Sequence, residues 1–208
     1  MYNFTVPMAL MDFLPVFFFG VTAVLLLRDL YNKMFKGAYA LLAAGSVNVF
    51  MAGFCKALWK LLYAANICDF IVLEKMFMPV NSLGLLFVGL SLIGMLCWKK
   101  ESALLSAAPP VFVSSMPFIM MMVIGLGGLC AGLSVVASKM KKGPVMILFI
   151  LSFVLAMAMG YMSGQDATQA WVNWAEQSIN TVSQLCLMLG TIALHRSGLK
   201  DVTWEVIK

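Results

Sequence analysis

The sequence has 208 residues, of which 62% are hydrophobic and 11% are charged, and its formal net charge at pH 7 is +5. Soluble domains contain about 45–50% apolar and about 25% charged residues, so this composition excludes a water-soluble protein and predicts an integral membrane protein. The positive charges fall in short clusters between hydrophobic runs, as in membrane loops, which argues against nucleic acid as a partner.

Six hydrophobic runs are long enough to cross a membrane, because a helical crossing needs about 20 mostly apolar residues. They lie near residues 8–27, 38–63, 77–97, 116–138, 144–163 and 169–194. No basic segment precedes the first run, so we expect it to be retained as a span rather than cleaved as a signal peptide. Residues 1–208 are therefore expected to form a single transmembrane helical domain.

Whether the segment 98–117 crosses the membrane decides the number of spans and the side on which each basic cluster lies. Lys and Arg accumulate on the cytoplasmic side of membranes. The basic clusters lie near residues 28–36, 99–100, 139–142 and 196–208. If a short helix near 101–114 crosses the membrane, bent at its two prolines, all four clusters share one face. We therefore predict an all-α polytopic bundle of seven helices, with six as the alternative, an external N-terminus and a cytoplasmic C-terminus.

The last hydrophobic run carries an unusual stripe of polar side chains on one helix face. The stripe consists of Asn173, Glu176, Gln177, Asn180, Ser183 and Gln184. A charged residue at the centre of a membrane helix costs about 2.5–3.5 kcal/mol, so this face is expected to point into the bundle or a water-filled cavity. The alternative is that these residues serve only as polar contacts between helices.

The second run has a matching stripe, in which Lys56, Lys60 and Tyr63 lie on one side. At about 1.5 Å rise per residue, Lys56 and Glu176 are both expected about 12 Å below the external surface. Asp12 and Asn81 enter from the same side. The alternatives are solvation of Asp12 at the interface and helix capping by Asn81.

These observations lead to the hypothesis of one outward-opening polar pocket, with Lys56 and Glu176 paired across it. Its predicted ligand-binding residues are Lys56, Lys60, Tyr63, Asn173, Glu176, Gln177, Asn180, Gln184, Asp12 and Asn81. The loop 64–79 is expected to be solvated or interfacial, with a lid over the pocket as the alternative. The Gly-x-x-x-Gly spacings at 128–132 and 160–164 are of the kind that lets helices approach closely.

Several kinds of chemistry have no signal in the sequence. The single histidine, His195, has no carboxylate pair near it in the chain, so we predict a helix-end role and no metal site. The five cysteines are scattered and are interpreted as apolar filler without disulfides. No nucleotide-binding or hydrolase motif occurs, no cofactor is expected, and catalytic residues are unknown.

The function favoured by the sequence is binding or transport of a small polar or zwitterionic molecule or an ion, with proton coupling as an option. One alternative is a sensor or accessory subunit that works with a membrane-protein partner or as a homo-oligomer. Another is an intramembrane enzyme acting on a lipid, so enzymatic activity is left open. The expected location is the cell membrane, with lipids as partners.

Overall fold

The computed structural model describes residues 4–97, 116–162 and 170–202, and within these ranges the chain forms helices and no strands. The helices are α1 Val6–Met11, α2 Phe13–Leu30, α3 Lys36–Ala64, α4 Val72–Lys75, α5 Phe77–Cys97, α6 Met116–Lys139, α7 Gly143–Met162 and α8 Ala170–Arg196, followed by the 3₁₀ turn η1 Leu199–Asp201. The all-α prediction is confirmed, and the six predicted runs coincide with long helices. The predicted helix at 101–114 lies outside the described residues.

Five segments of the described chain are long and apolar enough to cross a membrane. They are Val6–Leu30, Lys36–Ala64, Val72–Cys97, Met116–Lys139 and Gly143–Met162. The sixth long helix, α8, has 27 residues, but its polar stripe keeps it out of this group. The fold is thus that of a multi-pass membrane protein whose last helix is its most polar.

The first span is interrupted at Asp12, between α1 and α2. Pro15 is buried in the first turn of α2. It has no N–H to donate to the carbonyl of Met11, so the α1 hydrogen-bond ladder cannot continue unbroken into α2. Asp12, at this interruption, keeps helical backbone angles, and its side chain lies inside the bundle, where it is 9% exposed.

Most long helices that follow one another in the chain pack antiparallel, as the close contacts between them show. A Cβ at Gly53 would touch Val16 on α2, and one at Gly20 would touch Phe50 on α3, so residue numbers rise on one helix as they fall on the other. The same pattern relates α3 to α5 and α7 to α8. The corresponding contacts are Gly45–Val88 with Gly84–Val49, and Ser152–Ser183 with Phe149–Gly190.

In contrast, α5 and α6 run in the same direction. Gly125 of α6 faces Leu85 and Gly89 of α5, whereas Gly132, further along α6, faces Leu92, further along α5. The backbones approach so closely at Gly89 and Gly125 that a Cβ on either would clash with the other helix. The predicted close approach at 128–132 is therefore confirmed, whereas Gly160 has nothing within 4 Å.

These directions place the ends of the helices in two groups. The basic end contains the C-termini of α2, α5, α6 and α8 and carries Arg28, Lys33, Lys36, Lys139, Lys141, Lys142, Arg196 and Lys200. The polar end contains the start of α1 and of α8, the end of α3 and the connection 65–76. That connection includes α4 and exposes Ile67, Phe70, Ile71 and Met76.

We expect Gly125→Ala to destabilise the bundle by about 1–3 kcal/mol, because the added methyl group meets the α5 backbone, which cannot move without separating the helices. Gly160→Ala is the matched control. It lies in open space within a helix and should be neutral or stabilising by about 0.5–1 kcal/mol. Thermal unfolding in detergent measures both variants, and equal stability of the two would contradict the parallel glycine contact.

Candidate ligand-binding site at the polar end

An ion pair between Asp12 and Lys60 lies at the polar end, between the α1–α2 break and the last turns of α3. Lys60 Nζ is 2.7 Å from Asp12 Oδ2, and the two side chains are 10% and 11% exposed. Asp12 Oδ2 is shielded from solvent and accepts no other hydrogen bond within the described residues, so the ammonium group is what balances it. Each charge therefore depends on the other for compensation.

The second lysine, Lys56, lies one helical turn deeper on α3. Its Nζ is 4.1 Å from the centroid of the Phe77 ring at the start of α5, which is a cation–π contact. Asp12, Glu176, Glu74 and Lys60 lie near enough to Lys56 for their charges to interact with it. Lys56 is thus surrounded by charged groups from the α1–α2 junction, α3, α4 and α8.

Aromatic rings surround the charged group. Lys60 Nζ is 5.2 Å from the centroid of the Phe4 ring. Phe4 makes edge contacts with Trp59 and Tyr63, with centroids 5.9 and 6.1 Å away. Trp59 Nε1 donates a 2.9 Å hydrogen bond to Asp69 Oδ1, which ties the connection 65–76 to α3. The interfacial interpretation of this connection remains a prediction.

The polar stripe of α8 is turned inward, as predicted. Asn173 and Gln177 are each 5% exposed, and Glu176 and Asn180 are half-buried. Gln184 Oε1 is buried and accepts no hydrogen bond from any described group. Ser183 has a packing role instead, because its hydroxyl donates to the carbonyl of Ser152 on α7 at 2.8 Å.

Two of the alternatives raised by the sequence are wrong. Asp12 is not solvated at the interface, because its side chain is buried in the bundle against Lys60. Asn81 is not a helix cap, because α5 already begins at Phe77 and Asn81 is a buried residue within it, 7% exposed. Both residues therefore contribute buried polar groups near the same end.

The partnership of Lys60 with Asp12 was not foreseen in the sequence, where the stripes suggested that Lys56 pairs with Glu176. That pairing remains a prediction. The structure places Lys56 over Phe77 with the Glu176 charge acting on it. Matching Asp12 to Lys60 requires the alignment of the first span against α3, which periodicity within a single helix does not reveal.

The sequence interpretation also missed Asp29 at the basic end. His195 Nδ1 is 2.7 Å from Asp29 Oδ2, and the Asp29 side chain is 1% exposed. No carboxylate partner of His195 was expected from the sequence, and the structure provides one, Asp29. The available signal was the spacing of seven residues between Thr22 and Asp29, which puts both on one buried face of α2.

Comparison of the chain with protein-family models, with curated proteins and with solved structures finds no match.

We expect Asp12→Leu and Lys60→Met to destabilise the protein by about 3–5 kcal/mol each, because either change leaves an uncompensated buried charge. The double variant Asp12→Leu with Lys60→Met should recover most of this loss, because a well-packed apolar pair replaces the ion pair. Thermal unfolding in detergent gives the double-mutant cycle, with Lys75→Met on the exposed α4 as control. Additive losses in the double variant would contradict the pairing.

Proposed function

We propose that the chain crosses the membrane seven times, with the basic end in the cytoplasm. The parallel packing of α5 and α6 supports this topology, because the chain leaves α5 at the basic end and enters α6 at the polar end. Residues 98–115 lie between α5 and α6 in the sequence, and their number falls within the about 17–25 residues that a crossing needs. The gathering of basic residues at one end supports the orientation.

Cysteine labelling tests this topology. Native Cys68 is exposed near the polar end, and native Cys97 is exposed at the end of α5. In single-cysteine variants, a membrane-impermeant maleimide added to intact cells should label Cys68 at once and Cys97 only after permeabilisation. Met116→Cys, in the background without native cysteines, should behave as Cys68 does. Labelling of Met116→Cys together with Cys97 would mean that the chain does not return across the membrane.

We propose that the polar end binds, and in a cell membrane transports, a small zwitterionic molecule. The observation that carries this proposal is the convergence of Asp12, Lys60, Lys56 and Glu176 from three helices, with one pair buried. A buried ion pair contributes little net stability compared with an apolar pair. Ionisable groups within membrane helices more often serve function than packing.

Charge and shape together favour a zwitterion over a simple ion. The four groups are two amines and two carboxylates, so a ligand that carries one charge of each sign keeps the site neutral. Lys56 can meet the anionic group of such a ligand, and Glu176 can meet the cationic group. The rings of Phe4, Phe77 and Tyr63 offer faces that attract alkylated ammonium groups.

The experiment is a thermal-shift screen of the purified full chain with glycine, glycine betaine, taurine, choline and acetate. A zwitterion that binds should raise the unfolding temperature with increasing concentration, since saturation at about 100 times Kd stabilises by about 2.7 kcal/mol. Choline and acetate, which each lack one of the two charges, should give smaller shifts.

The matched variants identify the site. Lys56→Met and Glu176→Gln should abolish the shift, whereas Lys75→Met, at the same end on α4, should retain it. Uptake of the active compound into proteoliposomes then measures transport. If no zwitterion shifts the unfolding temperature, or if the shift survives both site variants, the proposed function is wrong.

A further inference from the structure

We propose that the contact between α2 and α8 is a path for protons through the bundle, with His195 and Asp29 as its entrance at the basic end. The path leads to the charged group at the polar end, so the proposal rests on the proposed function and names the ion that would couple to it. It depends on three observations, namely the histidine–carboxylate pair, a line of buried polar groups on α8, and matching groups on α2.

The contacts of His195 favour one tautomer. Arg28 Nη2 lies 2.6 Å from His195 Nε2 and 3.1 Å from Nδ1, and arginine can only donate hydrogen bonds, so the shorter contact assigns Nε2 as the acceptor. In this tautomer Nδ1 donates to Asp29 Oδ2 at 2.7 Å. The imidazole thus connects the Arg28 guanidinium to the buried carboxylate of Asp29, whose Oδ1 also lies 3.4 Å from Arg28 Nε.

This arrangement allows a balanced proton transfer. The Arg28 side chain is 60% exposed and can leave Nε2. A proton from water at the basic end then forms a bond to Nε2, the N–H bond at Nδ1 breaks, and that proton passes to Asp29 Oδ2. The imidazole ends neutral in its other tautomer, and the carboxylate is neutralised. Imidazole is well suited to this step at neutral pH.

Other charged groups near the entrance are cationic or exposed. Arg196 follows His195 on α8, and Lys33 donates to the carbonyl of Val202. Lys200 and Asp201 belong to the 3₁₀ turn η1, which packs against α2 and α8, and both are exposed. Asp29 is consequently the buried acceptor for a proton that enters through His195.

A line of polar side chains on α8 leads from this pair to the polar end. At 100° per residue, Asn173, Gln177, Gln184, Thr191 and His195 fall within a sector of about 40°. His195 contacts α2, so this sector faces α2. Ser183 and Gly190 fall outside it and contact α7 instead. Asn173, Gln177 and Thr191 are buried, as is the Gln184 carbonyl oxygen.

The side of α2 that faces α8 carries polar side chains that lie, along the helix axes, between the polar side chains of α8. Because the two helices run parallel with Asp29 level with His195, Thr22 lies level with residue 188, between Gln184 and Thr191. Thr22 is 1% exposed. By the same register Asp12 lies beside Gln177. The intervals along α8 from Gln177 to Gln184 and from Gln184 to Thr191 are each about 10 Å. The first contains the Thr181 hydroxyl, and Thr22 of α2 lies level with the second.

Thr22, Thr191 and Gln184 can accept further hydrogen bonds from water molecules that would relay the proton. The hydroxyls of Thr22 and Thr191 donate to the carbonyls of Phe18 and Leu187, at 3.0 and 2.9 Å, which leaves their oxygen lone pairs able to accept. An unpaired buried carbonyl oxygen such as that of Gln184 costs about 1–3 kcal/mol, and a water molecule that donates to it removes this cost. Lines of such groups between Asp and His side chains are how proton relays cross membrane bundles.

Proton flux into liposomes tests the path. The full chain is reconstituted in phosphatidylethanolamine–phosphatidylglycerol vesicles that contain a pH-sensitive dye, and a potassium gradient with valinomycin sets the voltage. Flux is measured with and without the zwitterion that gives the largest thermal shift, or with glycine betaine if none does. Wild-type protein should conduct protons faster than protein-free vesicles in at least one of these conditions.

Asp29→Asn, His195→Gln and Gln184→Leu should each lower the flux by about tenfold or more, as expected when a proton-transfer group is removed. Asp29→Glu should retain flux, and Asp201→Asn, an exposed carboxylate at the same end, should match wild type. Gel filtration and circular dichroism select folded variants. The path is wrong if wild-type flux equals that of protein-free vesicles, or if folded Asp29→Asn and Gln184→Leu both conduct as wild type does.

The thermal shift separates the two proposals. Asp29→Asn lies far from the polar end and should keep the zwitterion shift while it loses flux. A shift without proton flux would overturn the path and leave the binding site standing. Flux that depends on Asp29 in the absence of any zwitterion shift would support the path and overturn the proposed function.

Discussion

The backbone contact between Gly89 and Gly125 is the constraint on which the arrangement of the helices depends. Glycine at both positions lets α5 and α6 touch, and the order of the neighbouring contacts fixes the two helices as parallel. The following helices α7 and α8 inherit their directions from this contact. If α5 and α6 were antiparallel, α8 would run opposite to α2. Asp29 could then not contact His195 at one end of the bundle while Asp12 and Glu176 lie at the other end.

Charge compensation is the second organising principle. In a bilayer the backbone N–H and C=O groups form their hydrogen bonds within the helices. The remaining electrostatic cost of burial therefore comes from the buried polar and charged side chains. The structure meets this cost locally at each end, with Asp12 against Lys60 at one end and Asp29 against Arg28, with a hydrogen bond from His195, at the other. Both carboxylates lie on the first span, which makes α1 and α2 the helices that link the two charged regions.

Periodicity predicts which residues face inward but not which of them meet. The inward turn of Asn173 and Gln177 followed from the cost of polar groups in lipid, and the structure agrees. The partners of Lys60 and His195 did not follow, because both depend on how separate helices align. The parallel contact of α5 and α6 likewise has no signature beyond glycine spacings, which occur equally at the open Gly160.

The connection 65–76 lies beside the candidate site and exposes several apolar side chains. The hydrogen bond from Trp59 to Asp69 ties it to the bundle. Trp59 in turn contacts the ring of Phe4, which lies over Lys60. Replacing the bilayer by a micelle of short-chain detergent will therefore loosen this outer layer first, while the glycine-packed interior keeps its helicity, and a solubilised preparation can look folded after its affinity is gone.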